Sequence, residues 1–330
     1  MGSFLVTFLI TMAVVLPCAL GVGFYWRATH PADSTDPASA AQSLGAGGSA
    51  DTSSSEPENS PEPAALTVDL SGLNSREGIL LERGVGTLGE INADETIYPA
   101  SLTKMMTVLL AAEAFDDLDA PVTLGDDLFG PLWAANASMA GFEPGETVAV
   151  RDLLYGALLP SGAECCAAIA VELDGSEEAF ALRMNRRAQE LGMENTHFVN
   201  ATGLQDAQHV STVGDLALLL DAALDNPTFR EVFTAQRYST QPTNLHPDGI
   251  TVSSSVFSLM QDADLGGMML LGGKTGFTDE AGLCLATLAG ADGEEYILVT
   301  AGAPGQSHTD TAHVQDAAAV YRRLSRALED

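Results

Sequence analysis

The sequence predicts an α+β fold, and three observations carry that reading. Strand-like apolar runs open and close the folded part, helical patterns fill the interval between them, and 46% apolar residues supply a substantial core. The folded part begins near Ala65 and occupies 65–330. "ALTVDL" and "EGILLERG", separated by the turn-rich "SGLNS", read as a hairpin of two strands. "SLTKMMTVLLAAEAF" is apolar on most faces and predicts a buried helix. "VRDLLYGALLP", "ECCAAIAVEL", "SEEAFALRMNRRAQELG" and "VGDLALLLDAAL" continue as helices, with "RMNRR" on a solvated face. Strand patterns return at "GITVSSS", "MMLLGGKTGF", "LCLATLAG" and "EYILVTAG". "HTDTAHVQDAAAVYRRLSRALED" closes the chain as a helix, and no internal repeat is present. The pattern is that of an α+β domain with a helical insertion.

Charge narrows the range of partners. Forty-five acidic against fourteen basic side chains give a formal charge of −31, which repels a phosphate backbone and argues against nucleic acid as a partner. The N-terminus departs from this pattern, since Phe4 to Trp26 carry no charge over 23 positions. A helix of about 20 residues spans a bilayer core, so residues 1–27 read as a membrane anchor, with a cleaved signal segment as the alternative. Either one exports the rest of the chain. Residues 28–64 hold Ala, Ser, Pro, Gly, Asp and Glu, with Leu44 the one large aliphatic side chain. Such a composition cannot offset chain entropy by burial, and it predicts a disordered tether with a span of roughly 33 Å.

Twelve of the fourteen basic residues are arginine, and the two lysines, Lys104 and Lys274, stand in "YPASLTKMMT" and "GGKTGFT". Residues three apart share a helix face, which sets Ser101 beside Lys104. A serine hydroxyl needs a neighbouring base to become a nucleophile, and lysine serves only if burial or a second cation lowers its pKa. Arginine cannot serve, because it does not deprotonate in proteins. By itself the spacing also fits a surface helix with a solvated lysine. Lys274 and Thr275 lie between glycines and would offer an ammonium and a hydroxyl to a carboxylate, although "GGKTG" also fits an ordinary turn. Lys274 is further expected to depress the pKa of Lys104. Ser161, in "LLPSGAECC", fits a helix N-cap as well as a site residue.

Together the three stretches follow the order Ser-x-x-Lys, Ser-x-x, Lys-Thr-Gly, the motif set of class A β-lactamases and penicillin-binding proteins. Over about 65–330 the chain resembles the low-molecular-mass penicillin-binding proteins, the serine D-alanyl-D-alanine carboxypeptidases. "LGMENTHFVNATGL", "HVSTVGDLALLL" and "KTGFTDEAGLCLA" carry the resemblance beyond the short motifs. It implies a β-lactamase/transpeptidase-like fold, an antiparallel sheet flanked by helices with a helical subdomain holding the second motif. It implies Ser101 as the acylated nucleophile, Lys104 as its base and Ser161 as a proton relay. Lys274 and Thr275 would hold the substrate carboxylate, with Gly276 alongside, and the N–H groups of Ser101 and Phe277 would form the oxyanion hole. The implied substrate is a peptidoglycan stem peptide ending in D-Ala-D-Ala, with β-lactams as inhibitors and with no cofactor or metal.

Where the family usually has Ser-Gly-Asn, this sequence has Ala163, so the contact of an asparagine amide with substrate or Lys104 is lost. That departure keeps a non-catalytic muropeptide or β-lactam binder as a rival to the enzyme. A transpeptidase is the rival within catalysis; the glutamate-bearing loop of a class A β-lactamase is not evident. Cys165 or Cys166 could meet Cys284 in a disulfide, or all three could be buried thiols. His197, His209, His246, His308 and His313 show no metal spacing, which disfavours a zinc carboxypeptidase.

Overall fold

A computed structural model describes residues 66–329. The proposed anchor and tether, 1–27 and 28–64, lie outside the described residues. The first hairpin pairs β1 (Glu77–Glu82) with β2 (Gly86–Ile91). A 3-10 turn, Ala100–Thr103, leads into α1 (Lys104–Ala114). A mostly helical stretch follows: β3 (Pro121–Thr123), α2 (Phe129–Ala134), β4 (Thr147–Ala149), α3 (Val150–Leu158), α4 (Ala163–Asp174), α5 (Glu177–Glu190), α6 (Val213–Ala223) and α7 (Pro227–Phe233). A small ribbon of β5 (Arg237–Ser239) and β6 (Thr251–Ser253) precedes α8 (Ser255–Met260). The chain then runs through β7 (Met269–Thr278), β8 (Gly282–Ala291) and β9 (Glu294–Ala303) into α9 (Ala312–Glu329).

The main sheet is antiparallel, in the order β2-β1-β9-β8-β7, so strands from both ends of the chain close on each other at β1 and β9. Both of its faces are covered. Ile79, Ala286, Ile297 and Val299 face the core built by α1, α3, α4 and α6, whereas Leu80, Leu285, Tyr296 and Leu298 face the core under α9 and α8. Two buried faces explain why these strands read as nearly continuous apolar runs rather than as alternation. The hydroxyls of Thr287 and Tyr321, 2.7 Å apart, satisfy each other inside the second core. At one end Arg83 reaches Asp221, Asp225 and Glu295, and Arg230 makes two bonds to Glu295, which ties the first hairpin to α6, α7 and β9.

Two expected elements differ. "ALTVDL" is not the partner of "EGILLE"; that partner is "GTLGEI", whose two glycines hid its strand character. The earlier segment runs beside β2 and gives one bond to it, Val68 N–H to Leu88 O. A Cβ on Gly89 would stand 2.1 Å from Val68 O, so glycine permits the crossing. "GITVSSS" does contain a strand, but it belongs to the small ribbon rather than to the sheet.

Candidate active site

Ser101 lies in the 3-10 turn and Lys104 opens α1, so the predicted single helix divides at the motif. In a 3-10 turn residues i and i+3 eclipse, which stacks the two side chains as the expected helix face would have done. Lys104 Nζ donates to Ser101 Oγ at 2.9 Å and also to the carbonyl of Thr202. Ala100, just before the serine, holds a left-handed backbone at φ 46°. A non-glycine residue there stores strain that the surrounding packing must maintain.

The packing is supplied from two sides. The 200–204 loop approaches so closely that a Cβ on Gly203 would lie 1.9 Å from Ala100 O. Asn200 builds this loop, its Oδ1 accepting from the N–H groups of Thr202 and Gly203 and its Nδ2 donating to Leu204 O. From the other side comes β7, where a Cβ on Gly276 would stand 3.2 Å from Ser101 N. Below the turn, Val199 N–H donates to His209 Nδ1, so the neutral ring carries its proton on Nε2 and donates it to Thr103 Oγ1 at 2.7 Å. Burial pushes the His209 pKa down to about 4, which keeps that tautomer neutral.

Ser161 stands between α3 and α4, in the left-handed region at φ 70°. It is not the helix cap: Gly162 occupies that position. Ser161 Oγ accepts from Lys274 Nζ at 2.9 Å, and the same nitrogen donates to the carbonyl of Thr275. Thr275 Oγ1 is 2.7 Å from Ser255 Oγ. The site therefore brings together Ser101, Lys104, Ser161, Lys274, Thr275, Gly276 and Phe277, in two hydrogen-bonded serine–lysine pairs.

Both lysines are buried, 3% exposed for Lys104 and 0% for Lys274. Loss of hydration lowers both pKa values, and the Lys104 charge pushes Lys274 down further. At Lys104 burial is the first cause, while Cys166, Glu164 and Glu177 pull the other way. Repulsion between the two lysines adds to the lowering.

The cleft over Ser101 encloses about 630 Å³ and is walled by Asn136 to Ser138, Ala163, the 202–205 loop and Phe277 to Glu280. Ala163 packs with Leu132 and Ala167 as an apolar patch in that wall. The neighbouring Glu164 accepts from the N–H groups of Ala140 and Gly141 and so holds the 136–141 wall against α4. A smaller recess of about 60 Å³ opens beside Ser101 between Ser161, Ser255, Thr275, His308 and His313. As the edge strand of the sheet, β7 leaves every second backbone group free to face this region. Cys165, Cys166 and Cys284 are free and buried, and burial raises all three thiol pKa values, for Cys166 and Cys284 to about 12. No group of residues suited to a metal ion occurs among the described residues.

Thr202 and Ser255 line the site without being singled out by the sequence, and His209 and His313, which the sequence raises only as metal ligands, flank it. Thr202 contributes a carbonyl, which residue type does not betray, and Ser255 sits in a stretch that reads as strand. The two histidines are single residues without metal spacing.

The model of the D-alanyl-D-alanine carboxypeptidase family, peptidase S11, matches residues 65–305. The chain belongs to that family. Among family members it is 32% identical over 233 residues to D-alanyl-D-alanine carboxypeptidase DacF of Bacillus subtilis, a match covering 69% of this chain and 57% of that protein. It is 34% identical over 239 residues to DacC of Escherichia coli, covering 64% of this chain and 60% of that protein. The aligned part of this chain thus spans less than two thirds of either relative. The crystal structure of the Streptomyces K15 DD-transpeptidase superposes with a TM-score of 0.69 at 27% identity, over 78% of this chain and 98% of the other. The β-lactamase/transpeptidase-like fold that the resemblance implies is therefore the fold of this domain.

Proposed function

We propose that the chain is a serine D-alanyl-D-alanine carboxypeptidase, which removes the terminal D-alanine of peptidoglycan stem peptides through an acyl-enzyme on Ser101. The observation that carries this reading is the buried Ser101–Lys104 contact at 2.9 Å. Lowering of the lysine pKa by burial favours the neutral amine, which can take the serine proton as Oγ attacks the penultimate carbonyl. The N–H groups of Ser101 and Phe277 stabilise the resulting oxyanion. Ser161, held by Lys274, passes a proton to the departing D-alanine nitrogen, and water then resolves the ester. Lys274 and Thr275 receive the terminal carboxylate. Ala163 does not strip Lys104 of support, since the Thr202 carbonyl accepts from it.

Residues 1–27 would keep the enzyme at the outer face of the cell membrane, or export it as a cleaved signal, with 28–64 as a tether. No helix among the described residues is long and apolar enough to cross a membrane. A transpeptidase is the second reading, favoured by the likeness to a solved DD-transpeptidase. The two differ in whether water or an amine resolves the ester. Incubation with an acyl-D-Ala-D-Ala peptide, with and without an acceptor amine, separates them. Release of free D-alanine with a hydrolysed product is expected; a product joined to the amine as the main outcome supports the transpeptidase, and no release overturns both.

A further inference from the structure

A lysine base has to be aimed as well as neutral. A neutral amine keeps two N–H donors and one lone pair, so anchoring an N–H on an acceptor decides where the lone pair points. For Lys104 that acceptor is the carbonyl of Thr202, 98 residues later in the chain, and Ser101 Oγ is the other partner of the same nitrogen. The position of one peptide carbonyl thus governs the contact between base and nucleophile.

Two helices hold the segment that carries this carbonyl. Thr107 lies three residues after Lys104 on the same face of α1, and its hydroxyl donates to Ala201 O at 2.7 Å. From α5, Glu177 Oε1 accepts from Ala201 N–H at 2.9 Å. Glu177 is the first residue of that helix, behind the N-cap Ser176, where the positive end of the helix dipole favours a carboxylate. Ala201 is fully buried, so its N–H depends on this oxygen, and a buried donor left without an acceptor is costly. Glu177 belongs to none of the three motifs.

We propose that Glu177 is a positioning residue for acylation: by holding Ala201 N–H it fixes the Thr202 carbonyl, which aims the Lys104 amine at Ser101. This rests on the carboxypeptidase reading for Lys104 as the base. The carboxylate acts through its charge as well. Lys104 is faced by Glu164, Cys165 and Cys166 from α4, Glu177 from α5, Lys274 from β7 and His209 from the segment before α6. Burial keeps the two thiols and the imidazole uncharged, which leaves Glu164, Glu177 and Lys274 as the charges that Lys104 senses. Glu177 favours the protonated amine, so removing its charge lowers the pH at which the base is free.

The test follows the rate at which a fluorescent penicillin labels Ser101 in the full chain, from about pH 6 to the ordinary lysine value of 10.5. Glu177→Ala is expected to lower the high-pH plateau at least tenfold, because the loop loses its anchor. Glu177→Gln keeps an oxygen for Ala201 N–H. Its plateau is expected within about threefold of the parent's, with the midpoint about half a pH unit lower. Melting temperatures establish that the variants are folded; if Glu177→Ala is not, the profile of Glu177→Gln alone decides. A Glu177→Ala protein with the parent's plateau overturns the proposal. So does a Glu177→Gln protein with the parent's midpoint, or one that labels more than tenfold more slowly. Failure of the broader reading shows separately, as an absence of label on Ser101 of the parent at every pH.

Discussion

Two lysines in a chain that otherwise uses arginine are both sealed from water, and each holds a serine hydroxyl at 2.9 Å. An ammonium in that position is disfavoured by lost hydration, whereas a guanidinium would stay charged at any pH the protein survives. Lys104→Arg is therefore expected to lower acylation of Ser101 by at least a thousandfold while keeping the charge, measured as the rate of labelling by a fluorescent penicillin. Because the Lys104 pKa is lowered, that labelling rate in the parent protein should rise with pH and level off below the ordinary lysine value of 10.5. A rate still rising past pH 10.5 would place the base elsewhere. Ala163 removes one polar contact from the wall but adds apolar packing against Leu132 and Ala167, so the departure from Ser-Gly-Asn leaves the two serine–lysine pairs intact.

At the scale of elements, the Ser101 turn is clamped between the 200–204 loop, β7 and the His209 ring. Gly203→Ala places a methyl 1.9 Å from Ala100 O in a left-handed backbone at φ 78°, and the loop must retreat. The expected result is a penicillin-labelling rate at least tenfold lower, with a stability loss of about 2 kcal/mol measured by urea unfolding. The alternation of fold elements was legible in the sequence because helices and strands here bury long apolar runs. The candidate pair Ser101 and Lys104 was legible because serine and lysine three apart stack in either kind of helical turn. Other features were not. β2 carries two glycines that suppress strand propensity, "ALTVDL" has strand-like residues but yields its ladder position to that glycine strand, and Thr202 and His209 act through contacts between segments distant in sequence. His313 is hidden for the same reason, as an ordinary position at the start of an amphipathic helix.

For the whole molecule, burial of neutral histidines sets a pH dependence of stability. His209 and His313 have folded pKa values lowered to about 4, against about 6.5 in the unfolded chain, so between these values the unfolded state binds more protons. Stability contributed by each ring is present above pH 6.5 and is lost as the pH falls toward 4, up to ~3 kcal/mol per ring. Glu164, raised by burial, acts in the opposite sense, and relief of repulsion in a chain of formal charge −31 also favours the folded state as pH falls. The difference between variants isolates the histidine contribution. The melting temperature of His209→Gln should decline less steeply from pH 6.5 to 4 than that of the parent, and identical slopes would contradict the assignment of the neutral ring. The central claim is narrower: a buried neutral lysine makes Ser101 a nucleophile. Its most direct measurement is the intact mass of the full chain after exposure to penicillin, followed by peptide mapping. One penicilloyl group on Ser101, absent from both Ser101→Ala and Lys104→Arg, is the predicted result. No adduct on the parent chain, or an adduct that Lys104→Arg forms equally well, contradicts it.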